Sequence, residues 1–343
     1  MFASAPGSSS RGEGTSPDGI PQGLLRPDTP RHPALGPIGA VVVTYNAGPG
    51  VGDRLRRLSA QVDAVVVVDN GSDAATVEAL RAAAADDPAL RWIGNPDNRG
   101  LAAAQNQGLA AVLGAGFAWV LLMDDDSTPA PDMVAVLAAV EAARPGAFDL
   151  LAPRLRYPDI GRVPGFVTGL GWRVRKAPAP IQGVLEDPVF VIASGSLIRA
   201  AAARAVGPMR EDFFIDYLDV DYSFRLRRAG GRIAVAGAAV LDHALGRQSA
   251  HRLLGRTVWT SNHTAFRYHA MARNRARLWR GWARVHPGWA LQDMAALLAQ
   301  ILRVLLWEAD GRAKAGAILR GLWRGLLSLP AARPAARSPA ADA

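Results

Sequence analysis

The chain has 343 residues, half of them hydrophobic, with a net charge of +9 and no cysteine. That length allows one large or two small domains, and the lack of cysteine excludes disulfides, thiolate zinc sites and cysteine nucleophiles. The charge is lopsided: residues 244–343 hold sixteen Lys/Arg against four Asp/Glu, which leaves a net −3 on residues 1–243. A near-neutral body with a basic last third suits an anionic membrane surface or another polyanion.

Residues 1–36 are rich in Pro, Gly, Ser and Arg without periodicity, which predicts a disordered tail. They lack the basic-then-apolar pattern of a signal peptide. A valine-rich strand follows over 38–45 and ends in Thr44-Tyr45-Asn46. A short helix over 51–60 turns Leu55 and Leu58 inward. A second buried strand over 64–68 ends in Asp69-Asn70-Gly71-Ser72, and a helix-like stretch covers 74–85. A short strand at 90–93 leads into a polar turn at 95–100 and an alanine-rich helix over 101–113. The fourth strand, 119–123, stops abruptly at Asp124-Asp125-Asp126, and a helix over 131–143 follows. The uncharged run 100–123 reads better as helix, glycine turn and strand than as a membrane span, because it holds Gln105, Asn106 and Gln107.

Strands alternating with helices predict βαβ units and a parallel sheet, an α/β fold. The polar cluster closing each strand then lies along one edge of that sheet, the layout of a nucleotide-binding half. No Gly-x-Gly-x-x-Gly follows the first strand and no Gly-Lys-Ser/Thr loop is present, so side chains and a metal would hold a nucleotide.

Beyond 150 the pattern changes. Residues 153–190 look like a loop or hairpin region beside the sheet. An apolar run at 190–193 precedes Ser194-Gly195-Ser196, and 200–206 is helical. In 213–225, Leu218, Tyr222, Leu226 and Ala229 fit one helix face with Asp219 in the first turn. Gly230-Gly231 ends that helix, a strand takes 232–235, and Leu241-Asp242-His243 follows. Residues 263–282 are basic and aromatic. Two amphipathic helices, 288–307 and 318–329, come next. Neither reads as offering the roughly 18 uninterrupted apolar residues of a spanning helix; with the Arg/Trp-rich stretch before them they suggest docking on a membrane surface. Residues 330–343 read as a disordered tail. Arginines and aromatics also serve nucleic-acid binding, but no recognised module for it is present.

Three adjacent carboxylates repel one another unless a cation neutralises them; the alternative is a solvated turn before a helix. Mg²⁺ or Mn²⁺ takes one or two carboxylates plus phosphate oxygens. A divalent ion on Asp124 and Asp126 would bridge a pyrophosphate and stabilise it as a leaving group. A hydroxyl acceptor then needs a general base, for which Asp219 is a candidate with Asp216 and Asp221 as rivals. His243 is a candidate third ligand.

The ordered set Val43-Thr44-Tyr45-Asn46, Val68-Asp69-Asn70-Gly71-Ser72, Asn98-Arg99-Gly100 with Gln105-Asn106-Gln107-Gly108, Asp124–Asp126 and Phe214 to Arg225 resembles the family 2 inverting glycosyltransferases of GT-A fold. The resemblance covers about residues 38–285. Within that family Phe214-Ile215-Asp216-Tyr217-Leu218-Asp219 and Tyr268 with Arg273-Asn274 are most similar to bacterial rhamnosyltransferases and galactofuranosyltransferases.

The resemblance implies roles. Thr44, Asn46 and Asp69 would contact base and ribose. Asn98, Gly100, Asn106 and Asp125 would lie at the nucleotide-sugar. Asp124 and Asp126 match the Asp-x-Asp metal motif, Asp219 the base, and His243 a metal-ligand histidine of some members. Ser194, Gly195 and Ser196 would line the acceptor site. A GT-A domain would span 37–285, with a nucleotide-binding half at 37–150 and an acceptor half at 151–285, followed by the amphipathic helices at 286–329. The expected reaction moves rhamnose from dTDP-rhamnose, or galactofuranose from UDP-galactofuranose, to a glycan or lipid-linked acceptor, at the cytoplasmic face of the plasma membrane. Two departures stand out. Leu218 precedes Asp219 where the family often has Glu-Asp, and the Gln-x-x-Arg-Trp signature of processive members is absent. Rival readings are a nucleotidyltransferase, which would want a basic glycine-rich loop at 46–52, and a catalytically silent sugar-nucleotide-binding scaffold at the membrane.

Overall fold

The computed structural model describes residues 29–328 apart from 49, 247 and 254. The expected tails at 1–28 and 330–343 lie outside the described residues. The first half alternates as its hydrophobic runs predict: β1 (Ile38–Thr44), α1 (Val51–Ser59), β2 (Ala64–Asp69), α2 (Ala74–Asp86), β3 (Leu90–Gly94), α3 (Leu101–Gly114) and β4 (Trp119–Asp124). These four strands run parallel in the order β3-β2-β1-β4. Every residue of β1 and β2 is buried, because helices cover both faces of the sheet. Val41, Val43, Val66 and Val68 feed one core, and Ala40, Val42, Val65 and Val67 feed the core on the other face.

The chain continues with β5 (Ser127–Pro129), α4 (Met133–Ala143), β6 (Leu150–Arg156), β7 (Phe166–Leu170), β8 (Arg173–Ala177), β9 (Val184–Glu186), β10 (Leu197–Arg199), α5 (Ala200–Val206), α6 (Leu218–Arg228) and β11 (Ile233–His243). The sheet grows as β4-β10-β6-β11-β5, with β9 on β11. The 153–190 region supplies the separate hairpin β7–β8. The apolar run at 190–193 is loop; the strand forms after the Gly195 turn, as β10, antiparallel to both neighbours. A hairpin that the sequence pattern does not announce follows, β12 (Ser249–Leu253) with β13 (Arg256–Thr260).

Helices α7 (Ala265–Trp282), α8 (Pro287–Trp307) and α9 (Gly311–Leu327) end the described chain. They share a small core of Tyr268, Ala272, Leu297, Val304 and Ile318. Helix α9 begins seven residues earlier than its apolar spacing suggests. It lies hard against α7: a Cβ on Gly321 would stand 2.3 Å from the carbonyl oxygen of His269, and one on Gly325 2.3 Å from that of Arg273.

Two expectations are corrected. Residues 29–36 are not tail: Asp63 accepts the backbone N–H groups of both Arg31 and Ile38, at 2.9 and 2.8 Å, and Leu35 is buried. Helix α8, by length and composition, is apolar enough to cross a membrane, with mean hydropathy 1.4 and 22% of its most apolar stretch buried. Its two charges, Asp293 and Arg303, are too few to lower that average.

Candidate active site

Parallel register brings the strand ends together. Thr44 pairs with Asp69, and Val43 with Asp124. Thr44 and Asp69 are buried, and the Thr44 hydroxyl donates to Asp69 at 3.1 Å. Asp69 does not cap α2. That role belongs to Asp73, whose carboxylate accepts the Thr76 N–H at 2.8 Å. Asn46, at φ 52°, accepts the Asp73 N–H at 2.9 Å and so joins the β1 and β2 loops. Asn98 accepts the Gly100 N–H, and Gly100 at φ 89° presses on the Phe214 ring, where a Cβ would sit 2.6 Å away. Asn106 exchanges bonds with the Met209 backbone and donates to Glu211, tying α3 to the segment before α6. Thr44, Asn46, Asp69, Asn98 and Gly100 thus rim one end of the sheet, while the Asn106 amide is engaged by protein.

The acids beyond β4 differ in surroundings. Asp125 turns back to β1 and accepts the Tyr45 N–H at 3.2 Å, while Arg54 donates to its carbonyl. Burial pushes the Asp125 carboxyl up to about 6. Asp124 is pushed up to about 7, by burial first and then by Asp126, Asp125 and Asp219; Arg267 opposes. Strand β5 returns along β11, which pairs Ser127 with His243. The Ser127 hydroxyl meets His243 Nδ1 at 2.7 Å and the Ser194 hydroxyl at 2.9 Å. Ser194 also accepts the Asp124 N–H at 3.1 Å. Asp124, Asp126 and His243 therefore bring one ligand atom each within 4.8 Å of one another. Burial lowers the His243 pKa, which keeps the imidazole in the neutral form a metal needs. Crowded carboxylates and a neutral imidazole are a donor set that fits Mn²⁺ or Mg²⁺.

Three aspartates compete at α6. Both oxygens of Asp216 are taken by Arg267, at 3.0 Å each. Asp221 is buried between Arg225, at 2.7 Å, and the Trp282 indole, at 3.2 Å. Asp219 has no ion-pair partner among the described residues. It accepts the Val220 N–H at 2.8 Å, and burial holds its carboxyl up at about 6. Its charge reaches Asp124 across the site. Ser196, whose hydroxyl donates to the Ile192 carbonyl at 2.6 Å, shares a recess with Asp219, Ala193 and Met209. Position 195 requires glycine twice over: its φ is 81°, and Pro153 and Leu241 leave no room for a Cβ.

Arg267 and Asn274 go unassigned in the sequence reading. Arg267 stands near enough for Asp124 and Asp126 to stabilise its charge, and Asn274, fully buried, holds the loop before α6 through three carbonyls. The signal for Arg267 is membership of the basic 263–282 stretch, and that for Asn274 is its place in the Arg273-Asn274 pair on which the resemblance to rhamnosyltransferases partly rests.

Residues 40–203 match the model of the family described as Glycosyl transferase family 2. No curated protein matches by sequence. Among solved structures the chain is similar to the mannosyltransferase PcManGT from Pyrobaculum calidifontis in complex with GDP-Man and Mn²⁺, with TM-score 0.52 and 18% identity over 87% of each chain. It is also similar to GalNAc-T7 with UDP, GalNAc and Mn²⁺, with TM-score 0.50, 14% identity and 72% of this chain covered. It spans 48%, about half, of that chain. At such identities the likeness is one of fold. The family match runs through the strands that carry Thr44, Asp69 and Asp124, and residues 40–203 are similar to a glycosyl transferase family 2 domain, on a GT-A fold.

Proposed function

We propose that the protein is an inverting, metal-dependent glycosyltransferase. The observation that carries this reading is the pairing of Asp219, half-buried and with no ion-pair partner among the described residues, with the Asp124–Asp126–His243 group across one sheet edge. Thr44 and Asp69 close the end of the pocket where base and ribose would lie, and Asn98 and Gly100 border the diphosphate. Asp124, Asp126 and His243 would hold Mn²⁺ or Mg²⁺, which when bound offsets the charge of a departing nucleoside diphosphate. The structural relatives crystallised with nucleotides and Mn²⁺ support that choice of cofactor.

Asp219 takes the proton of the acceptor hydroxyl as that oxygen attacks the anomeric carbon, and the configuration inverts in this single displacement. Its raised pKa suits the task, since a base poised near the working pH abstracts a proton most efficiently. Ser194 holds Asp124 from behind, and Ser196 and Gly195 shape the recess on the acceptor side. The domain division proposed from the sequence, with a nucleotide half at 37–150 and an acceptor half at 151–285, places these groups on either side of β4.

The donor we favour is dTDP-rhamnose, on the likeness of the 214–219 and 268–274 segments to rhamnosyltransferases, and the acceptor a lipid-linked glycan. Calorimetry with dTDP-rhamnose and UDP-galactofuranose, each with Mn²⁺ and with chelator, tests this. Metal-dependent binding of dTDP-rhamnose supports it, binding of UDP-galactofuranose alone moves the donor, and metal-independent binding removes the acids from the reading.

A further inference from the structure

Helix α8 leaves one face unpartnered. Leu291, Met294, Leu298, Leu302, Leu305 and Leu306 are all exposed, Leu298 at 64% and Leu302 at 60%. Their spacing of three and four residues puts them on a single stripe about 22 Å long at 1.5 Å per residue. No fully exposed charge interrupts it, since Asp293 and Arg303 are both half-buried. Contiguous apolar surface of that extent marks a contact with something apolar.

The stripe has neighbours of matching character. At its start, the Gly288 N–H donates to the Gly171 carbonyl at 3.0 Å, which seats the β7–β8 hairpin tip beside α8. That tip exposes Trp172, at 72%, and Leu170. The hairpin also exposes Arg173, Arg175 and Lys176. Helix α9, packed on α8, exposes Leu319 and Trp323, each followed by an exposed arginine, Arg320 and Arg324. Apolar stripe, interfacial tryptophans and flanking cations are the attributes of a helix lying in the plane of a bilayer surface.

We infer that α8, with the hairpin tip and α9 at its flanks, is a docking face for an anionic lipid bilayer, the helix lying along the surface. Charge argues against a second copy as occupant: a two-fold contact would set these basic flanks against each other. Spanning is disfavoured by the buried side of the same helix. Asp293 there accepts from the Trp279 indole at 3.0 Å and the Tyr217 hydroxyl at 3.2 Å, and Gln300 accepts from Arg275 at 2.8 Å. Insertion would strip those partners from groups costly to leave bare in hydrocarbon. The inference stands on this surface alone and holds whichever sugar the site transfers.

Flotation of the full chain with phosphatidylcholine vesicles, with and without one-third phosphatidylglycerol, tests it. Recovery with the anionic vesicles only, weakened by salt and lowered roughly tenfold or more by L298E and again by L302E, is the expected result. Both substitutions lie on exposed positions, and an unchanged melting temperature confirms that the variants fold. Equal recovery of the variants, or no recovery of the parent, overturns the inference. A dimer by light scattering that L298E converts to monomer overturns it in favour of self-association. Resistance to alkaline extraction overturns it in favour of a spanning helix.

Discussion

Arg267 grips Asp216 through two parallel bonds, Nε and Nη2 each 3.0 Å from a carboxylate oxygen. The pair removes Asp216 from competition as a base and parks a cation beside the acidic strand end. Arg267→Ala should lower turnover about a hundredfold, the usual cost of losing a charged donor at a reacting centre. It also bares the Asp216 charge, which already raises Asp219, so the acid limb of the pH–rate profile should move to higher pH. Arg267→Lys keeps the charge without the fork and should recover activity in part. Steady-state rates across pH separate the three proteins.

Asp219→Asn should reduce kcat by roughly 10²- to 10⁴-fold while donor binding stays within a factor of about two. In the parent enzyme kcat should rise with pH through the Asp219 value of about 6 and then level, because only the ionised form accepts a proton. A variant with full turnover would remove Asp219 from the mechanism.

Metal affinity should depend on pH through Asp124. A proton held with a pKa of about 7 must leave before that carboxylate ligates, whereas burial disfavours the protonated form of His243. Mn²⁺ affinity should therefore fall about fivefold between pH 7 and 6 and change little above pH 8. Calorimetry in buffers of different ionisation heat should detect close to one proton released at pH 6. A pH-independent affinity would place the ion elsewhere.

Stability without metal should run the opposite way from a salt-bridged protein. Asp124, Asp125 and Asp219 all have raised folded-state values, about 7, 6 and 6. Between pH 4 and 7 the native state then holds protons that the unfolded chain has released, so stability falls as pH rises through that window. Melting temperatures should climb from pH 7 to pH 5, and saturating Mn²⁺ should flatten the trend by neutralising the cluster.

Asn274 should prove a positioning residue. Its amide nitrogen is shared among the carbonyls of Phe213, Ile215 and Asp216 at 2.8–3.0 Å. The loop it clamps holds Phe214, Asp216 and Tyr217 at φ 62–66°, a region side chains avoid. Asn274→Leu should cost about 1–3 kcal/mol of stability. It should also lower kcat more than KM, since Asp219 follows that loop directly. Asn274→Asp, which presents only acceptors to three acceptors, should be worse at neutral pH.

The sequence displays the N-terminal half of this fold almost residue by residue, because strands buried on both faces must be continuous apolar runs and the chain offers few of them. Asp124 and Asp126 stand out for the same reason, since they abut such a strand, where a cation site and a solvated turn are the two readings. What stays hidden is whatever depends on distant pairing. The segment after Phe190 is as apolar as a strand, yet Ser194 is drawn into the acidic site and pairing begins only at Leu197. Arg267 resembles any other arginine of a basic helix until Asp216, 51 residues earlier, is set against it. The three aspartates of 216–221 cannot be ranked from spacing, because the ranking lies in which of them the fold gives a cation.

The contact between Ser127 and His243 joins positions 116 residues apart, and it bears on the order in which the protein is made. A growing chain folds from its N-terminal end, so Asp124 and Asp126 leave the ribosome well before the histidine does. Until β11 slots between β6 and β5, the acids have no imidazole beside them and Asp219 has no finished neighbour. The half-made protein therefore lacks the full set of groups that would grip a cation, and that set closes only with the last strand of the sheet, before α7 brings Arg267 and Asn274 to the loop ahead of Asp219.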